Sequence, residues 1–353
     1  MYAAFHVSFF STFSSDKAAY TFFNHSKMAT LAPTFTFPHH PSLFLAPRHS
    51  NLSFPPSNFP IQNPSPLKRL HIQPSVRAQA APTDLGVVQR VVQLVLTSPP
   101  TWQSAVASNL IIFVLGSPLL VSGLSLSGSA SAFLLATLTW RAFWIPGFLL
   151  AAIYFILGTA VTKVKLAQKE AQGIAEKRSG RRGPGSVIGS SSSACVCALL
   201  SIKGIGGAAF SRLWELGFVA CFCTKLSDTV SSEIGKAYGK TTYLVTTLKV
   251  VPRGTEGAVS VEGTLAGLFA SILLASTACI MGQINIPEVA ICVLASQIAN
   301  VGESLIGAAL QEKQGFQWLN NDAVNVINIF MGTILAILMR QIVFLFKTTV
   351  KPF

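Results

Sequence analysis

The feature that most constrains the fold of this chain is a series of long apolar segments after residue 100. A helix needs about twenty mostly apolar residues to cross a bilayer. Segments of that kind run over 104–126, 144–162, 189–224 (a folded-back pair), 259–281, 286–310 and 323–346. A shorter stretch, 128–140, predicts either another crossing or a re-entrant segment. The sequence therefore predicts an all-α, polytopic integral membrane helix bundle with six to eight transmembrane helices.

The balance of charge agrees with a membrane protein. Charged residues make up 11% of the chain, compared with about 25% in soluble domains. The formal net charge is +13, which raises the question of a nucleic-acid partner. The basic residues, however, form short clusters between apolar segments, without a long basic face or an aromatic platform. We therefore expect membrane lipids and anionic small molecules as partners, and no nucleic acid.

The N-terminal region differs in composition from the rest of the chain. It is rich in Ser, Pro, Phe and His, and its first eighty residues contain one acidic residue, Asp16. This composition is typical of an organelle transit peptide, and it favours a chloroplast over a mitochondrion because arginine is scarce. A secretory signal would need a single apolar core, which is missing. We predict a disordered chloroplast transit peptide over 1–78, an N-terminal segment over 79–103 and a transmembrane domain over 104–353.

The position of the histidines limits the chemistry of the mature protein. All six lie at or before His71, within the predicted transit peptide. The mature chain would have no histidine general base and no Ser-His-Asp triad. The six cysteines lie in apolar segments and lack metal-site spacing, so they are expected to be small packing residues.

Three hydrophilic stretches, 163–186, 225–257 and 311–322, separate the apolar segments. If 189–224 is a folded-back pair, an even number of crossings lies between successive stretches, so all three face one compartment. The first contains seven Lys or Arg residues and two Glu residues. By the positive-inside rule we expect this side to face the stroma or the cytoplasm.

Several residues in these stretches are candidates for phosphate binding. "GRRGPGS" pairs Arg181 with Arg182, and paired arginines can bind phosphate oxygens bidentately. The alternative is positive charge that only sets the topology. "GKAYGKT" resembles a phosphate-binding loop but has one residue too few between its glycines. Further candidates, at the approach to the next span, are Lys240, Lys249, Arg253, Gly254 and Gly257, where the alternative is an ordinary turn.

Acidic and amide residues at the ends of apolar segments are candidates for a metal and substrate site. Asp228, Ser232 and Glu233 follow one apolar segment, and Mg²⁺ prefers carboxylates, waters and phosphate oxygens as ligands. The alternative is a solvated helix end. Polar residues within a bilayer usually face a bundle interior. Those near the last two segments are Gln297, Asn300, Glu303, Ser304, Asn321, Asp322, Asn325 and Asn328.

A site of carboxylates, amides and cations without histidine suits phosphoryl transfer to an acceptor that is itself a phosphate. Such an acceptor has a second pKa near 6 and needs no general base. Catalysis would then depend on positioning and on neutralising charge. A lipid tail on the acceptor would explain the membrane setting.

Three stretches carry a resemblance to a known family. "SDTVSSEIGKAYGKTTYLVTTLKVVPRGTEGAVSVEGTLAG" (227–267), "GRRGPGSVIGS" and "WLNNDAVN" together resemble the chloroplast phytyl-phosphate kinases of the vitamin E pathway. These belong to a widespread polytopic membrane family that includes an animal transmembrane protein. The resemblance covers about residues 100 to 345.

The resemblance implies an activity and a location. The activity is conversion of phytyl phosphate to phytyl diphosphate with a nucleoside triphosphate, for which CTP is expected. The product would supply tocopherol and phylloquinone synthesis, and the enzyme would lie in the chloroplast envelope. The motif residues carried over are Asp228, Ser232, Glu233, Gly235, Pro252, Gly254, Gly257, Asn321, Asp322 and Asn325.

These considerations give one set of expected roles. The catalytic residues are Asp228, Glu233, Lys240 and Arg253, and the ligands of Mg²⁺ are Asp228, Glu233 and Asp322. The substrate- and phosphate-binding residues are Arg181, Arg182, Ser232, Gly235, Lys249, Gly254, Gly257, Asn300, Glu303, Asn321 and Asn325. The alternatives are a transporter of an anionic lipid or solute and a cytidylyltransferase-type enzyme. The oligomeric state stays open.

Overall fold

A computed structural model describes residues 84–176, 180–311 and 313–349, and these are almost entirely helical. The helices are α1 (Asp84–Thr97), α2 (Trp102–Leu115), α3 (Ser117–Gly123), α4 (Leu126–Thr162), α5 (Leu166–Ala171), α6 (Pro184–Ile202), α7 (Gly207–Tyr238), α8 (Val261–Ile280), α9 (Ile286–Ala309) and α10 (Asn321–Thr349). Two short strands, β1 (Tyr243–Leu244) and β2 (Ala258–Val259), pair antiparallel. The transit peptide predicted for 1–78 lies outside the described residues.

Five helices, α4, α6, α8, α9 and α10, are long and apolar enough to cross a membrane. The pair α2 and α3 makes a sixth candidate if it is counted as one span, although the two helices are bent by 79°. The predicted segment 104–126 is therefore not a continuous helix. Its break at Gly116 precedes Pro118, whose ring and missing N–H do not fit inside a helix. The all-helical, multi-span fold class is confirmed.

Helix α4 is two helices joined by a sharp break. Trp144 has φ 54° and ψ −147°, and Pro146 follows it. Both ends of α4 contact the same residue: the amide of Ser125 donates to the Arg182 carbonyl (3.0 Å), and the Arg182 side chain packs against Gly158. The two halves therefore run antiparallel. Each has about 18 residues and a length of roughly 27 Å, so the first half, which contains 128–140, is long enough to cross a membrane by itself.

The remaining helices alternate in direction. α6 and α7 are joined by a short turn, which makes the predicted folded-back pair, and α8 and α9 are joined in the same way. The described residues of the loops 163–183, 239–260 and 310–320 consequently lie on one side of the bundle. We call this the loop side.

Helix α7 is the centre of the bundle and packs against α4, α6, α8, α9 and α10. Its middle, including Leu216, Phe218 and Phe222, is fully buried. Gly263 and Gly267 bring α8 against α7 at Ser231 and Ser227, because small residues let helix backbones approach closely. Polar residues near the loop-side end of α7 are therefore surrounded by other helices.

Candidate functional site

An ion pair lies inside the bundle, on α7. Lys225 and Asp228 are one turn apart, with 2.5 Å between Lys225 Nζ and Asp228 Oδ2. Lys225 Nζ also donates to Asn325 Oδ1 on α10 at 2.6 Å, and Lys225 is 7% exposed. A buried charge requires partners of this kind, since an unpaired one is very costly. The pair therefore links the central helix to α10.

Helix α9 adds a second carboxylate to this region. Glu303 lies close enough to Asp228 and Lys225 to interact electrostatically with both. Asn328 on α10 donates through Nδ2 to the Glu303 carboxylate and to Asn300 Oδ1. We call Lys225, Asp228, Asn300, Glu303, Asn325 and Asn328 the interior polar cluster.

The interior polar cluster continues into a hydrogen-bond network deeper in the bundle. Asn300 Nδ2 and Gln297 Nε2 both donate to Ser227 Oγ, at 2.9 and 3.0 Å. Gln297 Nε2 also lies 3.2 Å from Ser271 Oγ on α8. These bonds fix α7, α8 and α9 relative to one another, which holds Asp228 and Glu303 in place.

The two adjacent arginines have different environments. Arg182 donates to the Tyr154 hydroxyl at 2.7 Å and lies over its ring, 5.2 Å from the centre. Tyr154 in turn is close enough to Lys225 to interact with its charge. Arg181 is exposed. Of the two predicted phosphate-binding arginines, only Arg182 therefore lies next to the interior polar cluster.

Glu233 lies in a different setting from Asp228. It forms a buried ion pair with Lys169 of α5, and both side chains are at most 2% exposed. Lys236 lies 3.8 Å from Glu233, and Lys169 also donates to the Thr162 carbonyl. Asp228 and Glu233 therefore contact different helices. The expectation that they coordinate one Mg²⁺ gains no support from these contacts, and we assign them separate roles.

The polar residues predicted at the start of α10 have two different environments. Asn325 and Asn328 are buried in the interior polar cluster, whereas Asn321 and Asp322 are exposed. A Cβ at Gly185 would lie 2.6 Å from Asp322 Oδ2, which places this carboxylate at the first turn of α6. A negative charge there is stabilised by the helix dipole. The contacts of Asp322 thus point to a structural role, not to the ion pair of Asp228.

The candidate residues on the loop side lie outside the interior polar cluster. Lys240, Lys249 and Ser232 are exposed, and Arg253 is half-buried. Gly257 (φ 72°) packs against the backbone of Ser304 and Ala308, and Gly254 (φ 84°) packs against Ile174. Gly235 lies where α7 meets Ser260 and α8. The contacts of these glycines explain them as turn and packing residues, and their phosphate-binding roles stay predictions.

The candidates expected from the sequence do not include Lys225, Tyr154 and Lys169. These residues contact Asp228, Arg182 and Glu233, respectively. Lys225 lies directly at the end of the apolar segment 189–224, and that position could have identified it, since ionisable groups in a bilayer are expensive and usually functional. Tyr154 and Lys169 have no such signal, because their importance depends on partners distant in the chain. Across the described residues, no group of three or more His, Cys, Asp or Glu side chains is arranged to hold a metal ion.

A family model for an integral membrane protein, DUF92, matches residues 109–333, which include the interior polar cluster. The chain belongs to the DUF92 family of integral membrane proteins. No solved structure matches the chain.

Relatives of this DUF92 protein come from a plant, a cyanobacterium and an archaeon. "Protein VTE6, chloroplastic" of Arabidopsis thaliana is 69% identical over 75% of this chain and 79% of its own length. An uncharacterized membrane protein of Synechocystis is 48% identical over 67% of this chain and 90% of its own length. One from Methanocaldococcus jannaschii is 35% identical over 52% of this chain and 72% of its own length. The resemblance found in the sequence is confirmed at the level of the family, and the chloroplastic relative supports a chloroplast membrane location.

Proposed function

We propose that this chain is a phytyl-phosphate kinase of the chloroplast envelope. It transfers a phosphoryl group from a nucleoside triphosphate, CTP in our proposal, to phytyl phosphate, and the product supplies tocopherol and phylloquinone synthesis. The observation that carries the proposal is the interior polar cluster, where Lys225 and Asp228 meet Glu303 inside a helix bundle. Ionisable groups within a membrane protein are costly, and they usually mark a functional site. The similarity to the chloroplastic relative supports the same conclusion.

The chemistry needs few protein groups. A phosphate oxygen of phytyl phosphate attacks the γ-phosphorus of the nucleotide, the bond from that phosphorus to the β,γ-bridging oxygen breaks, and the nucleoside diphosphate leaves. Because the acceptor phosphate is largely deprotonated near pH 7, no general base is required. This agrees with the absence of histidine after residue 71.

The residues of this chain then act by positioning and by charge. Lys225 and Arg182 bring two positive charges to the centre, and Asn300 and Asn325 provide amide groups that orient phosphate oxygens. The exposed basic residues of the loop side, including Lys240, raise the local concentration of the anionic nucleotide. Mg²⁺ bound with the nucleotide supplies neutralisation of phosphate charge. The phytyl tail stays among the helices and lipids.

The test is an assay of the purified, detergent-solubilised chain with phytyl phosphate and each of ATP, CTP, GTP and UTP. We expect phytyl diphosphate and a nucleoside diphosphate, with CTP preferred. Asp228→Asn removes the charge that orients Lys225, and we expect at least a roughly 100-fold loss of turnover. Glu288→Gln is the control, since Glu288 pairs with Arg340 at the other end of α9 (2.6 Å) and should retain activity.

The nucleotide product separates this proposal from the alternatives. A transporter makes no phytyl diphosphate under any of the four conditions. A cytidylyltransferase-type enzyme releases pyrophosphate or CMP, whereas a kinase releases CDP. Retention of full activity in Asp228→Asn would also contradict the assigned site.

A further inference from the structure

Two carboxylates from different helices meet in the interior polar cluster. Asp228 comes from α7 and Glu303 from α9, and hydrogen bonds link both to α10: Glu303 accepts from Asn328, and Lys225, the partner of Asp228, donates to Asn325. Two ionised carboxylates that lie close together repel each other strongly in a low-dielectric environment. In the structure, the charge of Lys225 offsets part of that repulsion.

A third buried polar side chain, Asn328 of α10, lies beside Glu303. The Asn328 side chain is fully buried, and its Nδ2 donates to Glu303 and to Asn300. Its Oδ1 has no hydrogen-bond partner within the described part of the chain. A buried polar atom without a partner costs about 1–3 kcal/mol, so a native protein usually provides a ligand for it.

We propose that Asp228, Glu303 and Asn328 form a binding site for one divalent cation of the Mg²⁺ class. The proposal rests on the proposed function for the role of the ion, but its evidence is separate. Carboxylate and amide oxygens are the ligands that Mg²⁺ takes in proteins, together with waters and substrate phosphates. Glu303 and Asn328 replace Glu233 and Asp322 in the ligand set expected from the sequence.

Lys225 competes with the ion for the same charge. Its Nζ donates to Asp228 Oδ2 and to Asn325 Oδ1, so it supplies the positive charge near Asp228 in the structure. A divalent cation bound to Asp228 and Glu303 repels this ammonium group, which turns to another anionic partner. The phosphate of a bound substrate is such a partner. The site thus couples metal binding to the availability of Lys225 for phosphate.

The experiment uses Mn²⁺ as the probe, because its paramagnetic resonance signal reports the free ion directly. The purified full chain is titrated in detergent without nucleotide or phytyl phosphate. We expect one Mn²⁺ site that Mg²⁺ displaces. Glu303→Gln and Asn328→Leu should each weaken Mn²⁺ binding by at least about tenfold, the scale of effects around metal sites. Asn328→Asp preserves the shape of the side chain and adds a charge, so it should bind Mn²⁺ at least as well as the parent.

Two control variants carry the same change of charge elsewhere. Glu288→Gln lies on the same helix as Glu303, and Glu215→Gln lies on the same helix as Asp228 and removes the carboxylate paired with Arg212. Both should bind Mn²⁺ like the parent. The proposal is overturned if the parent binds no Mn²⁺, if Glu303→Gln binds as tightly as the parent, or if Glu215→Gln loses the site.

Failure of this site and failure of the proposed function give different results. If the chain binds Mn²⁺ but forms no phytyl diphosphate, the metal site is supported and the proposed kinase function is wrong. If the chain forms phytyl diphosphate but does not bind Mn²⁺ in the absence of nucleotide, the kinase function is supported and the proposed metal site is wrong.

Discussion

At the scale of single residues, the contacts of Lys225 are what make the interior polar cluster a chemical site. Its two hydrogen-bonding partners, Asp228 and Asn325, are on two helices. Asp228 and Asn325 were expected from the sequence, but the cation between them was not. Because it lies among the anionic groups, Lys225 determines both the charge of the cluster and what it can bind.

Replacing Lys225 by Met should therefore have two opposite effects. We expect a roughly 100-fold or greater loss of phytyl diphosphate formation, because a preorganised positive charge at the phosphate is removed. Mn²⁺ binding should become tighter, because Asp228 loses its competing cation. The assay described above gives the first quantity and the Mn²⁺ titration gives the second.

Lys225→Arg keeps the charge and is the matched variant. It should bind Mn²⁺ like the parent and keep more activity than Lys225→Met, although Arg presents its donors in a different geometry. If Lys225→Met bound Mn²⁺ more weakly than the parent, Lys225 and the cation would not share Asp228.

At the scale of elements, hydropathy predicts the spans that are uniformly apolar. The segments 259–281, 286–310 and 323–346 correspond closely to α8, α9 and α10. Helix α7 is harder to delimit because charged residues interrupt it, although it is the most enclosed helix. The sequence separates 128–140 from 144–162, and the break of α4 at Trp144 lies where these two segments meet.

The candidate site, too, could be predicted only in part from the sequence. Polar residues within or at the ends of apolar segments, such as Asp228, Asn300 and Asn325, could be found from the sequence. Their partners could not, since Lys225 and Asn325 are 100 positions apart and Lys169 and Glu233 are 64 apart. The motif predicts one shared Mg²⁺ site for Asp228 and Glu233 because the two residues are neighbours in the chain. On a helix they point to different sides.

The buried ion pair of Lys169 and Glu233 attaches α5 to the end of α7. Helix α5 is part of the loop 163–183, which we call the first loop. Lys165 strengthens the attachment, since its Nζ donates to the Ala237 carbonyl at 3.2 Å and lies 3.9 Å from the centre of the Tyr238 ring. A cation near the last carbonyls of a helix is favourable. Lys165 and α5 therefore have a fixed position against the end of α7.

Removing one member of the pair should destabilise the protein. Glu233→Gln leaves Lys169 buried without its counter-charge, at an expected cost of about 3–5 kcal/mol. The double variant Lys169→Met with Glu233→Leu replaces both charges by apolar groups and should recover most of this loss. Thermal unfolding in detergent measures the stability, and limited proteolysis reports release of the first loop.

The Arg340–Glu288 pair at the opposite end of the bundle provides the comparison. Glu288→Gln should not increase cleavage in the first loop. Equal stability of Glu233→Gln and the parent would show that the pair of Lys169 and Glu233 contributes nothing to holding the loop.

At the scale of the whole molecule, the antiparallel helices collect the functional residues at one end. The three loops that hold Arg181, Lys240 and Lys313 share the loop side, and the interior polar cluster lies near the same ends of α7, α9 and α10. A water-soluble nucleotide must approach from that side, whereas a phytyl chain enters from the bilayer. The arrangement requires that the loop side faces the compartment that contains the nucleotide.

The predicted topology can be tested by labelling single cysteines in sealed chloroplast membranes. The six native cysteines, which are buried or half-buried, are first replaced. Arg181→Cys, Lys240→Cys and Lys313→Cys should then react with an impermeant maleimide from the stromal side, because the positive-inside rule places the basic loops there. Gln103→Cys and Lys203→Cys, which are exposed at the other end, should react only after the membrane is opened. Labelling of Lys203→Cys together with Lys240→Cys in sealed membranes would contradict the antiparallel arrangement of α6 and α7, and a reversed pattern would place the kinase site on the other side of the membrane.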